Sequence, residues 1–249
     1  MLLVIDAGNT QITFGLYEGD VLVRSFAVLT DVKLSVRELE ESLSSNISGK
    51  IDGAIIGSVV DELNERLKYA VLDLYKVMPV VLTPDMDTGI SIGLKDNSEI
   101  GADRIANAYR AYELYKKAVI VVDFGTAVTF DIVNSKGCFI GGIIAPGLNT
   151  QLKSLNVSTS KLPKLEVEDV DNVIGKNTKE AILSGVIAGC ASMVEGMLIK
   201  CEKELGEKAV IISTGGHCEI VSKYMTRKFD AVIPNLTLEG LRDLYKRLQ

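Results

Sequence analysis

Two short segments hold the residue types that phosphate chemistry needs. Asp6-Ala7-Gly8-Asn9-Thr10 and Asp123-Phe124-Gly125-Thr126 each place a carboxylate, a glycine and a hydroxyl within a few positions of one another. A glycine lets backbone N–H groups approach phosphate oxygens, a hydroxyl donates a further hydrogen bond, and an aspartate at a strand end can hold a cation or its waters. Asp, Gly and Asn are also ordinary turn residues, so one such segment alone reads equally well as a hairpin. Its recurrence in the same context, an apolar strand before and an alternating segment after, favours paired loops that clamp one nucleoside triphosphate from opposite sides.

A third segment, Gly101-Ala102-Asp103-Arg104, opens a helix and sets a carboxylate beside a guanidinium near a partly positive helix end. Asp103 can accept a proton from a hydroxyl that attacks phosphorus, and Arg104 can bind a carboxylate or a phosphoryl group. Taken alone, the pair is also what a helix start with a surface ion pair looks like. Gly215-Gly216 follows a strand and leaves room for a flat base, although a strand-to-helix turn needs glycine anyway. Gly141-Gly142 with Pro146-Gly147 brings backbone close to phosphate or makes a tight bend.

Other phosphate motifs are missing. No G-x-G-x-x-G or G-x-x-x-x-G-K-[ST] occurs, since Val170 stands where Gly175-Lys176 would need a glycine. Gly89-Ile90-Ser91-Ile92-Gly93 matches the nucleophile pattern of serine hydrolases, with His217 after it. That pattern works only between a buried strand and a helix, and here Pro84-Asp85-Met86-Asp87 and Lys95-Asp96-Asn97-Ser98 flank it.

The elements that must position these residues form two similar series. Leu2–Ile5 reads as a buried strand, Ile12–Tyr17 as its hairpin partner and Val21–Val28 as a third strand. Ser35 with Glu38 signals a capping box for a helix to about Ser44, and Gly53–Val59 is a strand. Asp61 is expected to cap a helix with Leu63, Leu67, Val71 and Leu74 on one face. Met78–Leu82 is a short strand, residues 84–98 are loop-like, and Ala102–Lys116 is a helix with Ile105, Ala106 and Tyr109 inward. The series restarts with strands at Ala118–Val122, Val128–Val133 and Cys138–Ala145, and a helix from Pro146-Gly147. A long helix capped by Asn177 or Thr178 follows, rich in small residues (Gly185, Gly189, Ala191, Ser192, Gly196) that would let it approach a neighbour closely. A strand at Val210–Ser213, a helix, a short strand near Ala231 and a terminal helix from about Thr237 complete it. The pattern predicts two duplicated α/β domains, 1–116 and 117–249, facing each other across a cleft.

Composition narrows the functions. The 249 residues carry 33 acidic and 27 basic side chains, a formal net charge of −6, with no basic run to grip nucleic acid or an anionic membrane. Asp6 comes too early for a signal peptide, and no stretch is expected to reach the ~20 apolar residues of a membrane span, so a cytoplasmic protein is expected. Cys138, Cys190, Cys201 and Cys218 form no C-x-x-C pair, and His217 is the sole histidine, which excludes a multi-histidine metal cage.

With these motifs in this order, the chain resembles type III pantothenate kinases of the acetate kinase–sugar kinase–Hsp70–actin superfamily. The likeness runs through Asp6–Thr10, Thr88-Gly89, Gly101–Arg104, Asp123–Thr126, Gly141–Gly147, Lys161-Leu162-Pro163, Asn177-Thr178 and Thr214-Gly215-Gly216. It implies two actin-like (ribonuclease H-like) βββαβαβα domains and ATP-dependent phosphorylation of pantothenate to 4′-phosphopantothenate, the first committed step of coenzyme A biosynthesis. It also implies a homodimer that needs magnesium and a monovalent cation, potassium or ammonium. By the same resemblance, Asp6, Ala7, Gly8, Asn9, Thr10, Gln11, Ile12 and Thr13 with Thr126 bind ATP, and Asp6 faces magnesium. Asp103 accepts the proton; Gly101, Ala102, Arg104 and Thr178 join it at pantothenate; Asp123 holds the monovalent ion. Many relatives carry an aromatic residue and an Asn-Pro pair ahead of Gly101, where this chain has Leu94 and Asp96-Asn97. The family also has regulator-like cousins, so a non-catalytic regulator is the alternative, and an esterase using Ser91 a more distant one.

Overall fold

Leu3, Val4 and Ile5 are fully buried, as a strand with partners on both edges and cover on both faces requires. The computed structural model describes residues 1–158 and 163–249, so Lys161 and Leu162 lie outside the described residues. The chain starts with strands β1 (Leu2–Ala7), β2 (Gln11–Glu18) and β3 (Val21–Leu29), then helix α1 (Val36–Asn46), β4 (Gly53–Ser58), helix α2 (Asp61–Tyr75) and β5 (Val80–Val81). β6 (Ser91–Ile92) and a single 3₁₀ turn at Asn97–Glu99 break the expected loop before α3 (Ala102–Tyr115). Strand order in the first sheet is β3-β2-β1-β4-β5. β1 pairs antiparallel with β2 and parallel with β4, and Leu39, Leu43, Leu63, Leu67 and Val71 of the two helices join its core.

The Ser35 capping box is present: Ser35 N–H donates to the Glu38 carboxylate at 2.8 Å, and Glu38 N–H donates to Ser35 Oγ. Asp61 does not cap α2. Val60 occupies that position, its N–H donates to Ser58 Oγ at 3.0 Å, and Asp61 lies inside the first turn with Glu62, where carboxylates favour the helix dipole.

The second sheet repeats the plan. Strands β7 (Val119–Phe124), β8 (Ala127–Val133) and β9 (Cys138–Pro146) precede α4 (Leu148–Ser158), α5 (Thr178–Leu205), β10 (Val210–Thr214), α6 (Cys218–Lys223) and β11 (Ala231–Val232). Their order is β11-β10-β7-β8-β9, with β7 antiparallel to β8 and parallel to β10. A central strand with an antiparallel meander on one edge and parallel strands on the other is therefore built twice, as the two strand–loop–strand signatures predict.

The chain divides into two compact units, Met1–Glu113 with Leu236–Gln249, and Leu114–Asn235. The sequence reading assigns the terminal helix to the second half; α7 (Leu236–Arg247) instead packs in the first unit. A Cβ on Gly57 would stand 2.7 Å from a Leu241 methyl, and one on Gly53 2.6 Å from the Tyr245 ring, so the glycines of β4 admit this helix. Arg110 of α3 bridges Glu239 and Asp243, each at 2.9 Å, and the buried Arg242 guanidinium lies 5.2 Å from the Tyr17 ring centroid.

Helix α5 corrects two expectations. It is long and apolar enough, by length and composition, to cross a membrane, yet a core helix passes the same test. Leu183, Val186, Ile187, Cys190, Val194 and Leu198 bury one side of it in the core of the second unit. Gly185, Gly189 and Gly196 do not seat a neighbour among the described residues, because a Cβ on any of them would meet nothing within 4 Å, whereas Ala191 is buried in the core. Leu241 is fully buried, so Leu241→Ala should cost about 2–5 kcal/mol of stability in urea unfolding; a loss below 0.5 kcal/mol would mean that α7 is dispensable to the first unit.

Candidate active site

Register fixes the two aspartates at equivalent places. Asp6 is the penultimate residue of β1, opposite Thr13 of β2 and Gly57 of β4. Asp123 is the penultimate residue of β7, opposite Thr129 of β8 and Thr214 of β10. Both are partly exposed, and each is followed by a tight loop closed by a backbone bond, Gly8 N–H to Gln11 C=O at 3.0 Å and Gly125 N–H to Ala127 C=O at 3.0 Å. Asn9, Thr10, Gly125 and Thr126 lie open to solvent. A Cβ on Gly125 would make only ordinary contacts, the nearest at 3.7 Å, and Gly8 has no positive φ. Fold geometry thus does not demand glycine at 125; close approach by a ligand would.

The turn holding Asp103 lies at the same end of the first sheet. Val59, just past β4, donates its N–H to Ala7 C=O at 3.0 Å, and its side chain stands 2.9 Å from where a Gly101 Cβ would be. That Cβ would also overlap the Asp103 carboxylate, so the carboxylate rests on bare backbone. Asp103 Oδ1 accepts from Arg104 N–H at 2.8 Å. Removal from water raises the Asp103 pKa above the usual carboxylate range, against the lowering pull of the Arg104 amide and guanidinium. A carboxylate at once oriented and made more basic is suited to take a proton from a hydroxyl.

In the second unit, Gly215 has φ +87°, and a Cβ there would stand 2.5 Å from Asp123 Oδ1 and 2.6 Å from Phe124 N. Gly215 is therefore required by the turn, whereas a Cβ on Gly216 would meet nothing, which leaves its surface clear for a flat ligand. His217 N–H donates to Phe124 C=O at 3.4 Å, and burial lowers the imidazole pKa. Among the described residues no cluster of three or more His, Cys, Asp or Glu side chains could cage a metal. One carboxylate per loop fits an ion held chiefly by phosphates and water.

The structure thus gathers Asp6–Thr13 with Gly101–Arg104 at one end of the first sheet, and Asp123 and Thr126 with Gly215 in the second unit. Thr178 is the exposed first residue of α5, behind the Asn177 cap, whose Oδ1 accepts from Glu180 N–H at 2.9 Å. Ser91 sits on a two-residue strand with no helix directly after it, so the hydrolase pattern lacks its scaffold. Sequence reasoning missed Thr30 and Thr150, whose hydroxyls donate to loop carbonyls, Gly8 at 2.6 Å and Thr126 at 2.7 Å. Neither belongs to a local motif; only the repeated strand order could have directed attention to the segment after each third strand.

Two sheets of this order define the actin-like class of sugar kinases and ATPases, and solved structures agree. The polyphosphate/ATP-glucomannokinase of Arthrobacter sp. strain KM matches with TM-score 0.50 and 14% identity over 99% of this chain and 98% of that one. A conserved, provisionally assigned Baf family transcriptional activator from Campylobacter jejuni matches with TM-score 0.65 and 21% identity over 98% of both. At these identities the likeness is one of fold. The type III pantothenate kinase family model matches residues 2–200, and the type III pantothenate kinase of Geotalea daltonii is 40% identical over 99% of this chain and 98% of its own. The chain belongs to the type III pantothenate kinase family. It is a kinase, a nucleotide-binding transferase in a family whose reaction is pantothenate phosphorylation.

The Asp103 shift sets a sign for stability. A carboxyl with a raised pKa in the folded state favours folding when protonated and opposes it once pH exceeds that pKa. Asp103→Asn should therefore melt at the same temperature as the parent or higher at pH 7; a drop of several degrees would show that the carboxylate holds the fold together.

Proposed function

We propose that this protein transfers the γ-phosphoryl group of ATP to the primary hydroxyl of pantothenate, giving ADP and 4′-phosphopantothenate, the first committed step of coenzyme A synthesis. The observation that carries the assignment of roles is the Asp103 carboxylate, desolvated yet oriented by the Arg104 amide at the end of the sheet where the Asp6 loop lies. The hydroxyl oxygen attacks phosphorus, its proton passes to Asp103, and the bond from phosphorus to the bridging oxygen of ADP breaks. General-base assistance of this kind contributes ~10²–10⁴ in rate, and positioning supplies much of the rest.

The loop from Asp6 to Thr13 binds ATP, with the Thr10 hydroxyl toward the phosphates and Asp6 toward magnesium. Thr126 contacts the nucleotide, and Asp123, its carboxylate set over Gly215, holds potassium or ammonium. Bound cations supply charge neutralisation for the phosphoryl oxygens. Gly101, Ala102 and Arg104 line the pantothenate site, where the guanidinium can pair with the substrate carboxylate, and Thr178 is a further pantothenate contact. The reaction is placed in the cytoplasm, where ATP is available.

The chain is also proposed to act as a homodimer. Support comes from α5, whose exposed Gly185, Gly189 and Ser192 and half-buried Gly196 form a bare stripe beside Ile199, itself 64% exposed. Light scattering should give about twice the chain mass; a monomer at micromolar concentration would remove this part.

A coupled ADP-release assay should show turnover with pantothenate and magnesium, and little without acceptor. Sodium in place of potassium should depress the rate; equal rates would end the Asp123 assignment. Asp103 works only when ionised, so kcat/KM should fall as pH drops through a value above the ordinary 3.8. Asp103→Asn should lose at least ~10²-fold in kcat; a near-normal rate would exclude it as the base.

A further inference from the structure

Loops that bind phosphate through N–H groups face a constraint their own residues do not meet. Each also carries carbonyl oxygens, whose lone pairs repel phosphate unless they are directed elsewhere and satisfied. In the first loop, Thr30 handles two of them. Its hydroxyl donates to Gly8 C=O at 2.6 Å and its N–H to Thr10 C=O at 3.0 Å. In the second loop, the Thr150 hydroxyl donates to Thr126 C=O at 2.7 Å, and Gly147 N–H donates to the same oxygen at 3.0 Å.

The two threonines come from corresponding parts of the duplicated plan. Thr30 directly follows β3, and Thr150 sits in the first turn of α4, just after β9; β3 and β9 are the third strands of their sheets. They reach the loops by different backbone, one from an extended segment and one from a helix. The same arrangement, a hydroxyl outside the loop bonded to a carbonyl inside it, is thus present in both units although the local sequences differ.

We infer that Thr30 and Thr150 are positioning residues for the nucleotide, each holding loop carbonyl oxygens out of the way of the phosphates. This rests on the proposed ATP-binding role of the two loops. Thr150 is exposed and Thr30 partly so, where one hydroxyl bond adds little to the fold. A loop displaced by a fraction of an ångström loses much of its hold on a phosphate, so the effect should fall on nucleotide affinity.

Thr30→Val keeps the side-chain shape and the N–H bond to Thr10 and removes only the hydroxyl. It should raise the KM for ATP and the dissociation constant for ADP, measured by isothermal titration calorimetry, roughly three- to tenfold. The KM for pantothenate and the melting temperature should stay close to those of the parent, and Thr30→Ser should recover most of the lost affinity. Thr150→Val should weaken ADP binding in the same way as Thr30→Val, and Thr150→Ser should recover most of it as Thr30→Ser does. If Thr30→Val and Thr150→Val both bind ADP as the parent does, the inference is overturned. It is equally overturned if both substrates weaken together with a lowered melting temperature, which would mark the threonines as fold residues. A parent protein that binds no ADP would overturn the kinase reading of the loops, and this inference with it.

Discussion

Register in the middle of each sheet governs the rest of the structure. β1 and β7 are bonded on both edges and buried on both faces, so a slip by one residue would break the pairing on both edges and carry Asp6 or Asp123 away from its place at the strand end. That rigidity is passed to the penultimate residue of each strand, Asp6 or Asp123, and to the loop that starts two residues later. Loops are ordinarily the variable part of a fold, and here a short backbone-closed turn is mounted on its least movable part.

Bare backbone is the second recurring device. Gly101 lies under the Asp103 carboxylate and Gly215 under that of Asp123, and a single methyl at either place would collide with the acid. The two cases differ in their origin. Gly215 adopts a positive φ, so turn geometry and carboxylate seat both require it, whereas Gly101 is required by crowding from Val59 and Asp103. Placing Asp103 there raises the free energy of its ionised form, a cost to the fold that leaves a more basic group at the site.

Much of this was legible in the sequence, for reasons that particular residues make clear. Buried strands such as Leu2–Ile5 and Ala118–Val122 announce themselves by unbroken apolar runs, and the Ser35–Glu38 cap by its spacing. The duplication showed in the repeated Asp-x-Gly pattern. What escaped depends on contacts between residues distant in sequence. Asp61 has the right type for a cap, but Ser58 already accepts the Val60 amide, so the helix begins one residue earlier than a cap at Asp61 requires. The terminal helix resembles any amphipathic segment, and only Gly53 and Gly57 in β4, nearly two hundred residues earlier, show where it belongs. Thr30 and Thr150 bond to loops that no spacing rule connects them with.

The return of α7 to the first unit bears on how the chain is made. On the ribosome, residues 114–235 emerge before the helix that covers Gly53 and Gly57 exists, so the later-synthesised unit can finish folding while the earlier one still lacks a piece. Until α7 emerges, one side of β1 and β4 stays uncovered and Tyr17 lacks its Arg242 lid. The nascent N-terminal half is accordingly the stretch most in need of chaperone shelter, and a chain cut short before Leu236 leaves that surface permanently bare.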